Sequence, residues 1–127
     1  EGDGALAVLG APNRLQHPED AALAAARSIA ERIRNEVPEC EAGIGVAAGD
    51  AVAGNVGANE RFEYTVIGQP VNEAARLCDL AKSKPSRLLA SSDTLDGAGE
   101  KESAHWSLGD TVSLRGLDEP TQLAVPV

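Results

Sequence analysis

Hydrophobic positions change period along the chain, and the changes predict its elements. In "HPEDAALAAARSIAERIRNEV", Leu23, Ala26, Ala30, Ile33 and Val37 fall three and four residues apart and share one face of a helix. Pro18 suits the first helical position, and acids early with arginines late complement the helix dipole. The small residues on that face would let the helix lie close against a sheet. In "FEYTVIG" the period drops to two, with Phe62, Tyr64 and Val66 on one face of a strand and Glu63, Thr65 and Ile67 on the other. "AGIGVAAGDAVAGNVG" reads as two short strands around Gly49 and Asp50, its glycines marking bulges or close backbone approach.

Elsewhere the opening "EGDGALAVLGAP" reads as a Gly-Asp-Gly turn feeding a strand at about 5 to 9, so the turn's first strand is expected before Glu1. A helix is predicted from about 70 to 83, then a strand "RLLAS", a helical turn near "SDTL", a hairpin within "HWSLGDTVSLRG" and a last strand "TQLAV". Strand and helix alternation followed by antiparallel hairpins predicts an α+β sheet with helices packed mainly on one face. No internal repeat, low-complexity tract or linker interrupts the chain.

Composition narrows this picture. At 127 residues the chain fits one small domain, and with 2% aromatic residues its core must rest on Val, Leu, Ile and Ala. A net charge of -9 argues against nucleic acid or an anionic membrane as partner, since either would be repelled unless a local basic patch intervened. Cys40 and Cys78 lack CxxC or Cys/His metal spacing and are expected to be buried free thiols in a reducing compartment. No apolar run approaches a membrane span and no leader opens the chain. No direct membrane contact is expected, and the expected location is cytoplasmic, as a free protein or as the cytosolic part of a membrane-anchored one.

Four positions could carry chemistry. Asp3, between two glycines, is either a turn residue or a carboxylate held at a hairpin tip as a Mg²⁺ ligand. Asn72 and Arg76, at i and i+4, share one face near a helix N-terminus, where backbone dipoles favour an anion. The plainer alternative makes Asn72 a cap and Arg76 a solvated charge. Arg115, in "SLRGLDEP", follows a strand at a Gly turn and matters only if the other positions converge on it. "GIGVAAG" lacks the following helix that a phosphate-cradling glycine loop needs.

"GDGALAVLGAP", "GIGVAAGDAVAGNVGANERFEYTVIGQPVNEAARL" and "LRGLDEPTQLAVPV", in that order, closely resemble the class III adenylyl cyclase catalytic domain of bacteria. The resemblance implies a ferredoxin-like cyclase homology domain with a mixed, mainly antiparallel sheet, converting ATP to 3′,5′-cyclic AMP and pyrophosphate. It makes Asp3 one of two aspartates that hold two Mg²⁺ or Mn²⁺ ions, which serve the ribose 3′-hydroxyl and the leaving pyrophosphate. It makes Thr65 an adenine-selecting residue, Asn72 a ribose-orienting one, and Arg76 the group that meets charge building on the α-phosphate. Arg115 would bind the terminal phosphates, with Arg replacing the more familiar Lys. It also implies a head-to-tail homodimer, Asp3 of one subunit working across the interface from Thr65, Asn72, Arg76 and Arg115 of the other.

Two departures qualify the resemblance. Gln69 stands where relatives often carry Asp, a variation at a helix start. The first metal aspartate and an adenine-binding lysine would lie upstream of Glu1, so residues 1–127 are expected to form a partial domain, without the N-terminal strand and helices, inactive alone. The alternative is a catalytically silent cyclase-like domain that regulates or dimerises.

Overall fold

The computed structural model describes residues 4–11, 13–56 and 63–127, and the side chains of all of these except 53–56 and 63–66. Helix α1 (Pro18–Glu36) opens on Pro18 as expected and buries Leu23 and Ala26. Strands β1 (Ile44–Val46), β4 (Leu88–Ser91), β5 (Trp106–Val112) and β6 (Thr121–Pro126) form a mixed sheet in the order β1-β4-β6-β5. β1 and β4 run parallel, and the other neighbours antiparallel. Strands β2 (Val52–Val56) and β3 (Glu63–Ile67) pair with each other as a separate antiparallel ribbon.

Alternation along the sheet divides the core in two. Val46, Leu88, Ala90, Trp106 and Ala124 meet Leu23 and Ala26 of α1, with Leu95 of α3 (Ser92–Asp96) packed against them. On the other face Leu89 and Leu123 meet Leu77 and Ala81 of α2 (Gln69–Ala81), with Leu114. Helix α4 (Glu100–Ser103) joins the α1 face through Glu102, which accepts from both Arg27 of α1 and the Trp106 indole. Three helices thus share one face, and α2 holds the other. The α+β expectation stands, and the core is aliphatic apart from Trp106.

The glycines of β1 set how close α2 comes. A Cβ on Gly45 would meet Ala74 O, Cys78 N and, at 2.8 Å, Leu77 Cβ; one on Gly43 would meet Cys78 O. The helix therefore rests on bare backbone, the close approach that dense glycine signalled in this stretch.

Four expectations fail. Residues 4–8 carry no regular structure, because a strand exists only by pairing and no described strand lies beside them. Gly109 and Asp110 do not turn a hairpin: β5 runs through them with a register shift between Leu108 and Thr111, so the Gly-Asp turn signal marks a bulge against β6. Nor are the cysteines, though free, buried. Cys40 is exposed in the connection after α1, and Cys78 lies half-buried on the flank of α2, its thiol 3.1 Å from Gly43 O. Finally, α2 stops at Ala81, two residues short of the expected end, where a turn closes with Lys84 N donating to Ala81 O.

Candidate active site

β3 delivers the chain to α2 through Gly68, which occupies the N-cap and offers no capping side chain. Gln69 and Pro70 then open the helix, where Pro needs no hydrogen-bond acceptor. Asn72 stands a turn inside, its side chain exposed, so it is not the cap.

One turn further on, Arg76 reaches across to the β5–β6 connection. Its Nε donates to the carbonyl oxygen of Arg115 at 3.1 Å, joining positions 39 residues apart. Arg115 itself is exposed, in a turn closed by Leu117 N donating to Leu114 O at 3.1 Å. Gly116 carries that turn at φ +87°, a backbone state that other residues rarely adopt. The two arginines singled out in the sequence are therefore neighbours. Asp79 lies 4.0 Å from Arg76 Nη1, too far and too exposed to hold the guanidinium. Among the described residues only Nε is engaged by a hydrogen bond, so toward these residues the terminal nitrogens of Arg76 retain N–H donors for an anion.

A second tie runs beside the first. Thr121 Oγ1 donates to Glu73 Oε2 at 2.9 Å, and Thr121 is buried. Sequence reasoning missed this pair; Glu73 sits three residues before Arg76 on the same helix face, but only the fold reveals its partner.

Thr65 occupies the centre of β3, opposite Gly54, on the element that leads directly into α2. Asp3 lies outside the described residues. Among the described residues no three His, Cys, Asp or Glu side chains gather as a metal site. Hollows of about 90 and 310 Å³ lie by α1 near Arg34 and Ser86, away from Arg76 and Arg115. At the candidate site Asn72 and Arg115 are both exposed, so the described part of it is an open face.

Solved structures share this fold. The guanylyl cyclase Cya2 superposes with a TM-score of 0.69 at 23% identity, over 91% of this chain and 61% of that one. The adenylyl cyclase CyaB from P. aeruginosa gives 0.66 at 25% identity, over 94% and 64%. The fold is the cyclase-homology fold. A bacterial light-regulated adenylyl cyclase shows it too, with a TM-score of 0.67 at 21% identity, over 87% of this chain and 33% of that one.

Sequence relatives extend further than the chain does. The uncharacterized protein Mb1354c of Mycobacterium bovis is 75% identical over 127 residues, all of this chain and 22% of that protein. The uncharacterized protein Rv1319c of Mycobacterium tuberculosis is 74% identical over 125 residues, 98% and 23% respectively. The chain therefore spans roughly a fifth of the length of these curated relatives. No protein-family model matches it. Within the cyclase-homology fold, no helix among the described residues is long and apolar enough to cross a membrane.

Proposed function

We propose that the chain is part of an adenylyl cyclase catalytic domain that converts ATP to 3′,5′-cyclic AMP and pyrophosphate. The observation that carries this reading is the contact between Arg76 and Arg115 on an open face of a cyclase-homology fold. The Arg76 side chain reaches the backbone of a second arginine from a distant position, in a chain whose net charge of -9 would otherwise repel a triphosphate.

Each residue then has a task. Thr65 accepts from the adenine amino group, where guanine would present a carbonyl oxygen. This alone favours ATP, since the fold is shared by a guanylyl cyclase and adenylyl cyclases. Asn72 orients the ribose so that its 3′-oxygen can attack the α-phosphorus in line with the bond to pyrophosphate. As that bond breaks, charge grows on the α-phosphoryl oxygens, and the terminal nitrogens of Arg76 meet it. Arg115 grips the terminal phosphates, for which a guanidinium fork is well shaped. Two Mg²⁺ or Mn²⁺ ions, with Asp3 as one ligand, would supply Lewis acidity at the phosphates. A head-to-tail homodimer would close the open face, Asp3 arriving from the partner.

The test is cyclic nucleotide formation by the full-length protein with Mg²⁺ or Mn²⁺, with ATP and GTP in competition. Cyclic AMP is expected, and its loss in Arg76→Ala. A folded wild type that binds nucleotide or dimerises and forms no cyclic product overturns the enzyme reading in favour of a silent regulatory domain.

A further inference from the structure

The face of α2 that carries Arg76 also carries Glu73, whose presence needs a reason. A carboxylate beside Asn72, on a helix read as meeting a triphosphate, works against binding the anion by direct Coulomb repulsion. Its only recorded side-chain partner among the described residues is the buried hydroxyl of Thr121, at 2.9 Å.

Thr121 is not an arbitrary partner. It is the first residue of β6 and pairs with Val112, the last residue of β5, so this pair closes the loop of residues 113–120. Arg115 sits inside that loop. Its carbonyl is held by Arg76 and the loop's far end by Glu73, and residues 73 and 76 lie three apart on one helix face. One face of α2 therefore grips the segment from Arg115 to Thr121 at both ends.

We propose that Glu73 and Thr121 are a positioning pair that fixes where Arg115 stands relative to Asn72 and Arg76, and so governs affinity for the substrate's terminal phosphates. The functional part of this inference rests on the cyclase reading above; the structural part does not. The pair touches no reacting atom. It acts through Arg115, so its loss should weaken substrate binding and leave the chemical step, served by Arg76, nearly intact. This distinguishes it from a general prop, whose removal would lower stability and spread its effect over both kinetic constants.

The experiment uses the full-length protein and three variants. Thr121→Val keeps the branched shape and removes the donor; Glu73→Leu removes the acceptor from the other side; Glu73→Gln keeps a carbonyl oxygen able to accept. In Thr121→Val and Glu73→Leu the KM for ATP is expected to rise about tenfold with kcat within about twofold of wild type, as for loss of a binding contact. Glu73→Gln should stay close to wild type. In parallel, hydrogen exchange of the amides in 113–120 should accelerate in the first two variants and not in Glu73→Gln, with Leu88–Ser91 as the unchanged reference. Exchange in 113–120 equal to wild type in both disrupting variants overturns the proposal, as does a kcat loss matching the KM rise. If wild type shows no cyclase activity, the enzyme reading falls, and the exchange measurement alone decides whether the pair positions the Arg115 loop.

Discussion

Arg27 and Glu102 meet in a two-point contact, Nε to Oε2 at 2.7 Å and Nη2 to Oε1 at 2.6 Å, which ties α1 to α4 across 75 positions of sequence. The Trp106 indole N–H donates to the same Oε2 at 2.9 Å, so one carboxylate satisfies three donors. Glu102→Ala leaves the guanidinium and the indole without their acceptor. Breaking a buried ion pair on one side costs about 3 to 5 kcal/mol. Because the Arg27 side chain is 29% exposed and can recruit water, a loss of about 2 to 3 kcal/mol is expected here. Urea unfolding of the two proteins measures it, and a difference below about 0.5 kcal/mol, the scale of a surface substitution, contradicts the assignment.

The same carboxylate predicts an acid limit. The Arg27 hydrogen bonds, against the opposing effect of burial and helped by the indole, hold Glu102 below the ordinary value of 4.5. A carboxylate depressed in the folded state contributes stability that is fully present above its unfolded pKa and lost as pH falls through the folded one. The Glu102 contribution should therefore be flat from neutral pH down to about 5 and decline below 4.5. Urea midpoints across this range, for wild type and Glu102→Gln, should converge as the pH drops. Parallel curves would show that Glu102 is not the titrating group.

A methyl group on β1 should displace α2. Gly45→Ala places a Cβ against Ala74 O, Cys78 N and Leu77 Cβ, atoms of the helix itself that cannot rotate aside. Overpacking of this kind costs about 1 to 3 kcal/mol. Gly116→Ala meets no neighbour within 4 Å, and its cost, about 1 kcal/mol, comes only from φ +87°. Thermal unfolding should thus rank Gly45→Ala below Gly116→Ala; the reverse order would mean that α2 has freedom to rise from the sheet.

Charge alone should not restore Arg76. Lysine keeps a cation but lacks the Nε–H that donates to Arg115 O, so Arg76→Lys frees the loop as well as losing the fork. Both Arg76→Lys and Arg76→Ala are expected to lower kcat for cyclic AMP formation by about 10² to 10³, the range for loss of one preorganised donor. Lysine activity within about fivefold of wild type would show that a point charge suffices.

Much of this was legible in sequence because the signals were local. Periodicity gave α1, alternation gave β3, and glycine density signalled close backbone approach in the stretch where β1 meets α2. Local signals failed where pairing decides the outcome. Gly109 and Asp110 resemble a turn until β6 lies alongside, and residues 5 to 9 resemble a strand that has no described partner. Asn72, Arg76 and Arg115 were found by motif, and the fold brings Arg76 to Arg115. Glu73 and Thr121 left no such trace, because a hydrogen bond between distant side chains has no periodicity to read.

The seat of α2 and its two ties differ in kind. A helix lying on glycine backbone has a single height and no room to slide, whereas residues 115–121 meet it through one carbonyl and one hydroxyl. The bond to the Arg115 carbonyl is exposed and can exchange with water or ligand at little net cost, whereas the Thr121 hydroxyl is buried and cannot. The exposed Arg115 turn is thus the less firmly held part of this face, and α2 is the anvil beneath it.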